Sequence, residues 1–286
     1  MKRSILVAVA IFLVVAITSA FYALANAQDY ETFNLWPDLA PGEKAGAEKP
    51  TYEVWKPAEK KSDACMIVCP GGGYFGLAYD HEGDKIARYF TSKGITTVVL
   101  RYRVPRREGI PKHMAAWQDA QRCVRVCRLY AEDWGIDPNK IGILGFSAGG
   151  HLALMVATSS RTNSYEPVDP VDELPCNVNF AAPVYPAYVL DDGVDGPNVN
   201  GGIGAKMVGD FAFDGNTPPM CMIHGDADEV SAMGSVAVYA KLRKMNIPAE
   251  LHIYANLGHG FVGNLTDGHA GDWLNRVYEW MGAVGF

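Results

Sequence analysis

The run Ile141-Gly142-Ile143-Leu144-Gly145-Phe146-Ser147-Ala148-Gly149-Gly150 holds the residues with the clearest chemistry. It reads as a buried strand, a G-x-S-x-G turn and a helix starting near His151. Glycines at 145 and 149 remove Cβ atoms where strand and helix crowd together, so Ser147 can hold a strained backbone with its hydroxyl exposed. A serine hydroxyl is a weak nucleophile and needs a base, which in turn needs an orienting carboxylate. In strand-turn-helix settings of this kind the chain order is serine, acid, histidine.

Downstream, Met220 to Val230 ends a strand in an H-G-x-x-D turn that puts Asp228 at the expected place of the acid. Asp226 follows the same strand end and stands as its rival, although bracing the turn through backbone hydrogen bonds suits it better. Three histidines come after Asp228. His252 lies inside a strand and reads as sheet packing, and His269 reads as solvent-facing. His259, between Gly258 and Gly260 in a loop past the strand that ends at Tyr254, is the candidate base. Pro70-Gly71-Gly72-Gly73-Tyr74 follows an earlier strand and can aim backbone N–H groups into a cavity, so Gly72, Gly73 and Ala148 are the candidate oxyanion donors.

Elements in a definite order must position these groups. Ala64 to Cys69, Ile95 to Tyr102, Ile141 to Gly145, Asn179 to Val184, Met220 to His224 and Glu250 to Tyr254 are short apolar runs bounded by turn formers. Amphipathic stretches alternate with them: one helix is expected over Met114 to Trp134, ending at Gly135, and a last one uses Trp273, Val277, Trp280 and Val284. The alternation predicts an α/β fold with a mainly parallel central sheet and helices on both faces. Reactive groups then collect beyond the carboxyl ends of the strands, where the three candidate residues fall.

Composition narrows the functions. The chain has 286 residues, 49% hydrophobic and 20% charged, which is globular rather than disordered. Its net charge of −7 supplies no basic face for a phosphate backbone, so no nucleic-acid partner is expected. No H-x-x-H or H-E-x-x-H spacing is present, and neither a metal nor a cofactor is expected. Residues 1–27 carry Lys2 and Arg3, an apolar run from Ile5 to Ala25 and Ala25-Asn26-Ala27, which reads as a signal peptide before a single catalytic domain over 28–286. An uncleaved anchor is the competing reading, and only then would the protein meet a membrane. Cys65, Cys69, Cys123 and Cys127 occupy core-packing positions and are expected as buried thiols, whereas a Cys176 to Cys221 pairing stays open.

Beyond the triad pattern, Leu35-Trp36-Pro37, Ala40-Pro41-Gly42, Arg101-Tyr102-Arg103, Asp119-Ala120, Trp134 to Pro138, Gly145 to Ala153, Tyr185-Pro186-Ala187-Tyr188 and Gly258-His259-Gly260-Phe261 run through nearly the whole chain after residue 27. With these motifs the sequence resembles the α/β-hydrolase superfamily, in particular its carbohydrate-esterase branch of bifunctional feruloyl and acetylxylan esterases. It departs from that pattern in Val230-Ser231, where a proline is common after the acid, and in its cysteine content. The resemblance implies an α/β-hydrolase fold, a triad on Ser147, Asp228 and His259, and removal of acetyl, or feruloyl, groups from an acylated cell-wall carbohydrate such as xylan. The 35 residues between Val184 and Met220 are too few for a large helical lid, which suits a polymer. Tyr74, Phe75, Tyr102 and Tyr188 are candidates for sugar stacking or an acyl wall. Three other readings compete: a small-ester carboxylesterase, a peptidase related to the prolyl oligopeptidases, and a silent carbohydrate-binding scaffold.

Overall fold

The structure is a computed structural model, and it describes residues 29–191, 205–263 and 268–286. The expected signal segment 1–27 and most of the turn-rich stretch Asp191 to Gly204 therefore lie outside the described residues. The chain divides into a short unit, Met1–Glu31, and a body, Thr32–Phe286, which carries all the candidate catalytic residues. No helix among the described residues is long and apolar enough to cross a membrane.

An eight-stranded sheet forms the centre, in the order β1 (Tyr30–Asn34), β2 (Thr51–Trp55), β4 (Thr96–Arg101), β3 (Cys65–Cys69), β5 (Ile141–Phe146), β6 (Phe180–Val184), β9 (Met220–Gly225), β10 (Ala249–Tyr254). All neighbours from β4 to β10 pair in parallel, and β2 runs antiparallel to β4. The ribbon β7 (Leu190–Asp191) and β8 (Lys206–Met207) closes the base of the excursion after β6. Six of these strands match the apolar runs of the sequence. β3, β5, β6 and β9 are buried at every residue because helices cover both their faces, which is why they read as continuous apolar runs. β10, at the sheet edge, is only half-buried, and His252 there pairs with Glu250 rather than packing inside a sheet.

The helices are α1 (Lys85–Ser92), α2 (Met114–Leu129), α3 (Ala131–Trp134), α4 (Ala148–Thr158), α5 (Met233–Lys244) and α6 (Trp273–Ala283). Periodicity predicts a single helix over Met114 to Trp134; instead the chain leaves helical geometry at Tyr130 (ψ 16°), resumes for one turn and stops at Gly135 in the left-handed region, φ 64°. Gly135 can adopt that φ without a Cβ penalty.

A buried ionic network fixes the segment before β2 against α2. Asp119, fully buried, accepts from Trp36 Nε1 at 2.8 Å, from the Arg103 amide at 2.8 Å and from Arg103 Nε at 3.0 Å. The same guanidinium reaches the Pro41 and Ala115 carbonyls. Burial pushes the Asp119 carboxyl up and the Arg103 charge pulls it back, so the pair holds only as a unit. This is the structural role of Trp36, Arg103 and Asp119 in the three motifs that carry them. All six cysteines are buried and free, including Cys176 and Cys221.

Candidate active site

Ser147 stands between β5 and α4 with φ 51° and ψ −115°, a conformation that a non-glycine residue holds only when its surroundings enforce it. Here the Ser147 amide donates to the Val184 carbonyl at 3.0 Å, and the Ser147 carbonyl accepts from His151 at 2.9 Å and Ala187 at 3.0 Å. The glycines do what the motif requires. A Cβ on Gly145 would lie 2.0 Å from the Gly149 carbonyl oxygen, and one on Gly149 would lie 2.1 Å from that of Cys69. Both contacts are to backbone, which cannot swing aside. Gly149→Ala is therefore expected to cost about 3 kcal/mol or more and to leave little soluble protein. A thermal melt within a few degrees of the parent, at about 2–4 °C per kcal/mol for a domain of this size, would contradict this steric role of the elbow glycine.

The acid and the base arrive on two loops zipped together by backbone bonds. Asp226 N donates to the Tyr254 carbonyl and Ala227 N to that of Leu257, and Gly225 leaves room for Leu257 where a Cβ would sit 2.2 Å from its oxygen. Asp226 accepts the Asn256 amide and so braces this junction, while Asp228 faces the histidine. His259 Nδ1 donates to the Asp228 carboxylate, 2.9 and 3.0 Å from its two oxygens, and Ser147 Oγ donates to His259 Nε2 at 2.9 Å. The Asp228 side chain is fully buried and also accepts the Val230 amide at 2.7 Å.

His224 holds the same turn from beneath. Its Nε2 is 2.8 Å from the Val230 carbonyl, which can only accept, so the proton sits on Nε2 and Nδ1 accepts from Ser235 Oγ at 2.8 Å. Burial lowers the His224 pKa and keeps the ring neutral, which this pattern needs. The first letter of H-G-x-x-D is thus a turn brace.

At the glycine loop, Gly72 (φ 128°) and Gly73 (φ 64°) occupy the region that favours glycine, and a Cβ on Gly72 would lie 2.2 Å from the Gly76 carbonyl oxygen. The amides of Gly72, Gly73 and Ala148 donate to no acceptor among the described residues. The neighbouring Gly71 amide is taken at 2.7 Å by Glu82, a buried carboxylate on a turn of π-helix, Asp80–Asp84, which precedes α1. The other Glu82 oxygen accepts from Tyr185 at 2.7 Å, and the Tyr185 ring lies 4.9 Å from that of His259. Glu82 therefore joins the glycine loop to the wall beside the imidazole. Nothing in its local sequence marks it, because both partners are distant in the chain. Glu82→Gln puts an amide where one of two donors needs an acceptor, so kcat is expected to fall about 10- to 100-fold with KM little changed. Equal activity in parent and variant would show that the loop holds itself.

Two of the four aromatic candidates do not face substrate. Tyr74 and Tyr102 are buried to within 2% of full exclusion. Tyr102 donates to the Pro70 carbonyl and Tyr74 shares a 2.9 Å bond with His151 Nδ1, so both brace the glycine loop rather than stack on a sugar. Tyr188 is also nearly buried, stacked on Tyr74 with its hydroxyl 3.3 Å from the Gly73 carbonyl. Phe75 alone is exposed, at 63%, beside Gly73 with the Arg106 guanidinium over its ring. Tyrosine and phenylalanine beside a strand end look alike in sequence, and burial separates them.

Similarity to known proteins decides the family. Residues 52–182 match the BD-FAE family model and residues 205–284 that of the prolyl oligopeptidase family. The acetyl ester-xyloside bifunctional hydrolase of Caldicellulosiruptor lactoaceticus superposes with a TM-score of 0.76 at 29% identity, covering 90% of this chain and 97% of that one. The chain is an α/β-hydrolase. Among curated proteins it is 30% identical to the acetylxylan esterase of Xylanibacter ruminicola over 218 residues, 71% of this chain and 42% of that protein. It is also 29% identical to endo-1,4-beta-xylanase B of Butyrivibrio fibrisolvens over 210 residues, 69% of this chain and 32% of that protein. The α/β-hydrolase thus spans less than half the length of these two curated relatives.

Proposed function

We propose that this α/β-hydrolase is a serine esterase that removes acetyl groups from xylan or a related acylated carbohydrate, with Ser147 as nucleophile, His259 as base, Asp228 as its orienting acid and the Gly72, Gly73 and Ala148 amides as oxyanion donors. The observation that carries this reading is the continuous relay from Asp228 through His259 to Ser147 Oγ, with every link at 2.9 or 3.0 Å. His259 Nε2 takes the Ser147 proton as Oγ attacks the ester carbonyl. The oxyanion forms opposite the unengaged amides, ahead of the N-terminus of α4, whose dipole favours negative charge. His259 then gives its proton to the departing sugar oxygen, and a water activated by the same ring releases acetate.

Two relatives named for acetyl-ester and xylan chemistry support the substrate class. An export signal at residues 1–27, cleaved after Ala27, fits an enzyme whose substrate is an external polymer. The family match over 205–284 favours one second reading, cleavage of a peptide amide. The test is product release from acetylated xylan, 4-nitrophenyl acetate, a feruloyl ester and a proline-containing peptide amide in parallel. Acetate from xylan supports the proposal. Turnover of 4-nitrophenyl acetate alone moves the substrate to another small ester, and peptide cleavage promotes the second reading.

A further inference from the structure

Around His151, whose ring bonds Tyr74 of the glycine loop, lies a cluster that the proposed reaction does not use. His113 precedes α2, His151 sits in the first turns of α4, and Asp210 follows β8. One ligating atom from each lies within 4.8 Å of the others. The two imidazoles are tilted by 46° with centroids 5.3 Å apart, and Asp210 Oδ2 is 4.0 Å from His113 Nδ1, too far for a hydrogen bond. In a filled tetrahedral site with bonds of about 2.1 Å the ligand atoms stand about 3.4 Å apart. The cluster needs to contract by about an ångström, and the Asp210 side chain, 49% exposed, has the freedom to close.

The second observation is an orphaned atom. His151 is 1% exposed, its Nδ1 is engaged by Tyr74, and its Nε2 has no hydrogen-bond partner. A buried polar atom without a partner is costly and calls for an explanation. When Nδ1–H donates to the Tyr74 oxygen, Nε2 is left with a bare lone pair, the one ligating atom of His151 not already engaged. A ligating histidine normally donates its other ring N–H to a neighbouring oxygen in this way. A cleft of about 350 Å³, lined by Lys112, His113, Trp117 and Asp210 among others, gives access from solvent.

We propose that His113, His151 and Asp210 bind a divalent transition-metal ion of the zinc class, with the fourth position open to water. Two neutral imidazoles and one carboxylate are an N/N/O donor set that zinc accepts. The three residues are 38 and 59 positions apart, so no ligand spacing in the sequence exposes them. Lys112, which lines the same cleft with its ammonium 4.2 Å from the Tyr188 ring centroid, adds positive charge nearby and weakens the expected affinity for a cation. The ion would pin the segment after β8 to α4 and, through Tyr74, to the back of the glycine loop. It would take no part in the acyl chemistry.

The test is calorimetric titration of Zn2+ into the chelator-stripped full chain, with the absorption spectrum of the Co2+ form as a report of tetrahedral N/O ligation. The parent, Asp210→Asn, His113→Gln and His259→Ala are compared. Asp210 is a surface side chain, so its variant folds as the parent does. Saturable one-to-one binding is expected, weakened about tenfold or more in Asp210→Asn and His113→Gln and unchanged in His259→Ala. Loss of binding in His259→Ala would assign the ion to the relay instead and overturn the proposal. So would equal affinity in the parent and Asp210→Asn, or no saturable binding below about 100 μM, a dissociation constant too weak for a three-ligand site.

Discussion

Replacing Ser147 by alanine is expected to lower the hydrolysis of an acetyl ester by about 10⁶ in kcat while the fold and melting temperature stay close to the parent's. The size of the effect follows from how the site is built. Ser147 Oγ is the atom that His259 Nε2 can deprotonate, and no other hydroxyl is bonded to that nitrogen among the described residues. Its backbone conformation is held by bonds to Val184, His151 and Ala187 through main-chain atoms, which alanine keeps. Because nucleophile and base act as a unit, adding His259→Ala to Ser147→Ala should cost almost nothing more. The check is a steady-state assay with 4-nitrophenyl acetate beside covalent labelling by a fluorophosphonate, which the parent should take up and Ser147→Ala should not. A variant that keeps more than about a hundredth of the activity would remove Ser147 from the mechanism, since a nucleophile's loss costs far more.

Asp228→Asn is expected to lower kcat by about 10⁴, because it leaves the imidazole in the wrong tautomer. The carboxylate accepts the Nδ1 proton of His259 through both oxygens, which leaves the Nε2 lone pair facing Ser147. An asparagine amide can donate to Nδ1 instead, and the ring then turns a proton toward Ser147 and ceases to be a base. Asp228 is buried and also accepts the Val230 amide, so the isosteric change preserves the turn better than alanine would. Asp226→Asn is the paired control. Its carboxylate binds the Asn256 amide and not the imidazole, so activity should fall less than about tenfold. A larger loss in Asp226→Asn than in Asp228→Asn would exchange their roles.

The Glu82 substitution separates positioning from reaction in the same assay. Its carboxylate touches the glycine loop and Tyr185 but neither Ser147 nor His259 among the bonds described. Its expected loss is accordingly orders of magnitude smaller than that of the relay residues.

Sequence alone specifies the alternation of strands and helices, hence the parallel sheet, because a strand covered on both faces must be apolar throughout and its boundaries must be turn formers. It also determined the place of Ser147, since a strand-to-helix turn this tight admits only glycine at 145 and 149. Asp228 and His259 were legible as residues just past strand ends, where a parallel sheet opens its crevice. The folded chain shows what depends on contacts between distant residues. It separated Asp226 from Asp228, which share one turn and differ in the direction each carboxylate faces. It moved Tyr74 and Tyr102 from the substrate to the scaffold, because burial is a property of the packed chain and not of residue type. It brought Glu82 beneath the glycine loop and set His113 and Asp210 beside His151, none of which any local pattern encodes. Local pattern reports periodicity and turn chemistry, which neighbours in the chain fix; partner choice is fixed by the fold, and that is where the supporting residues of this site were found.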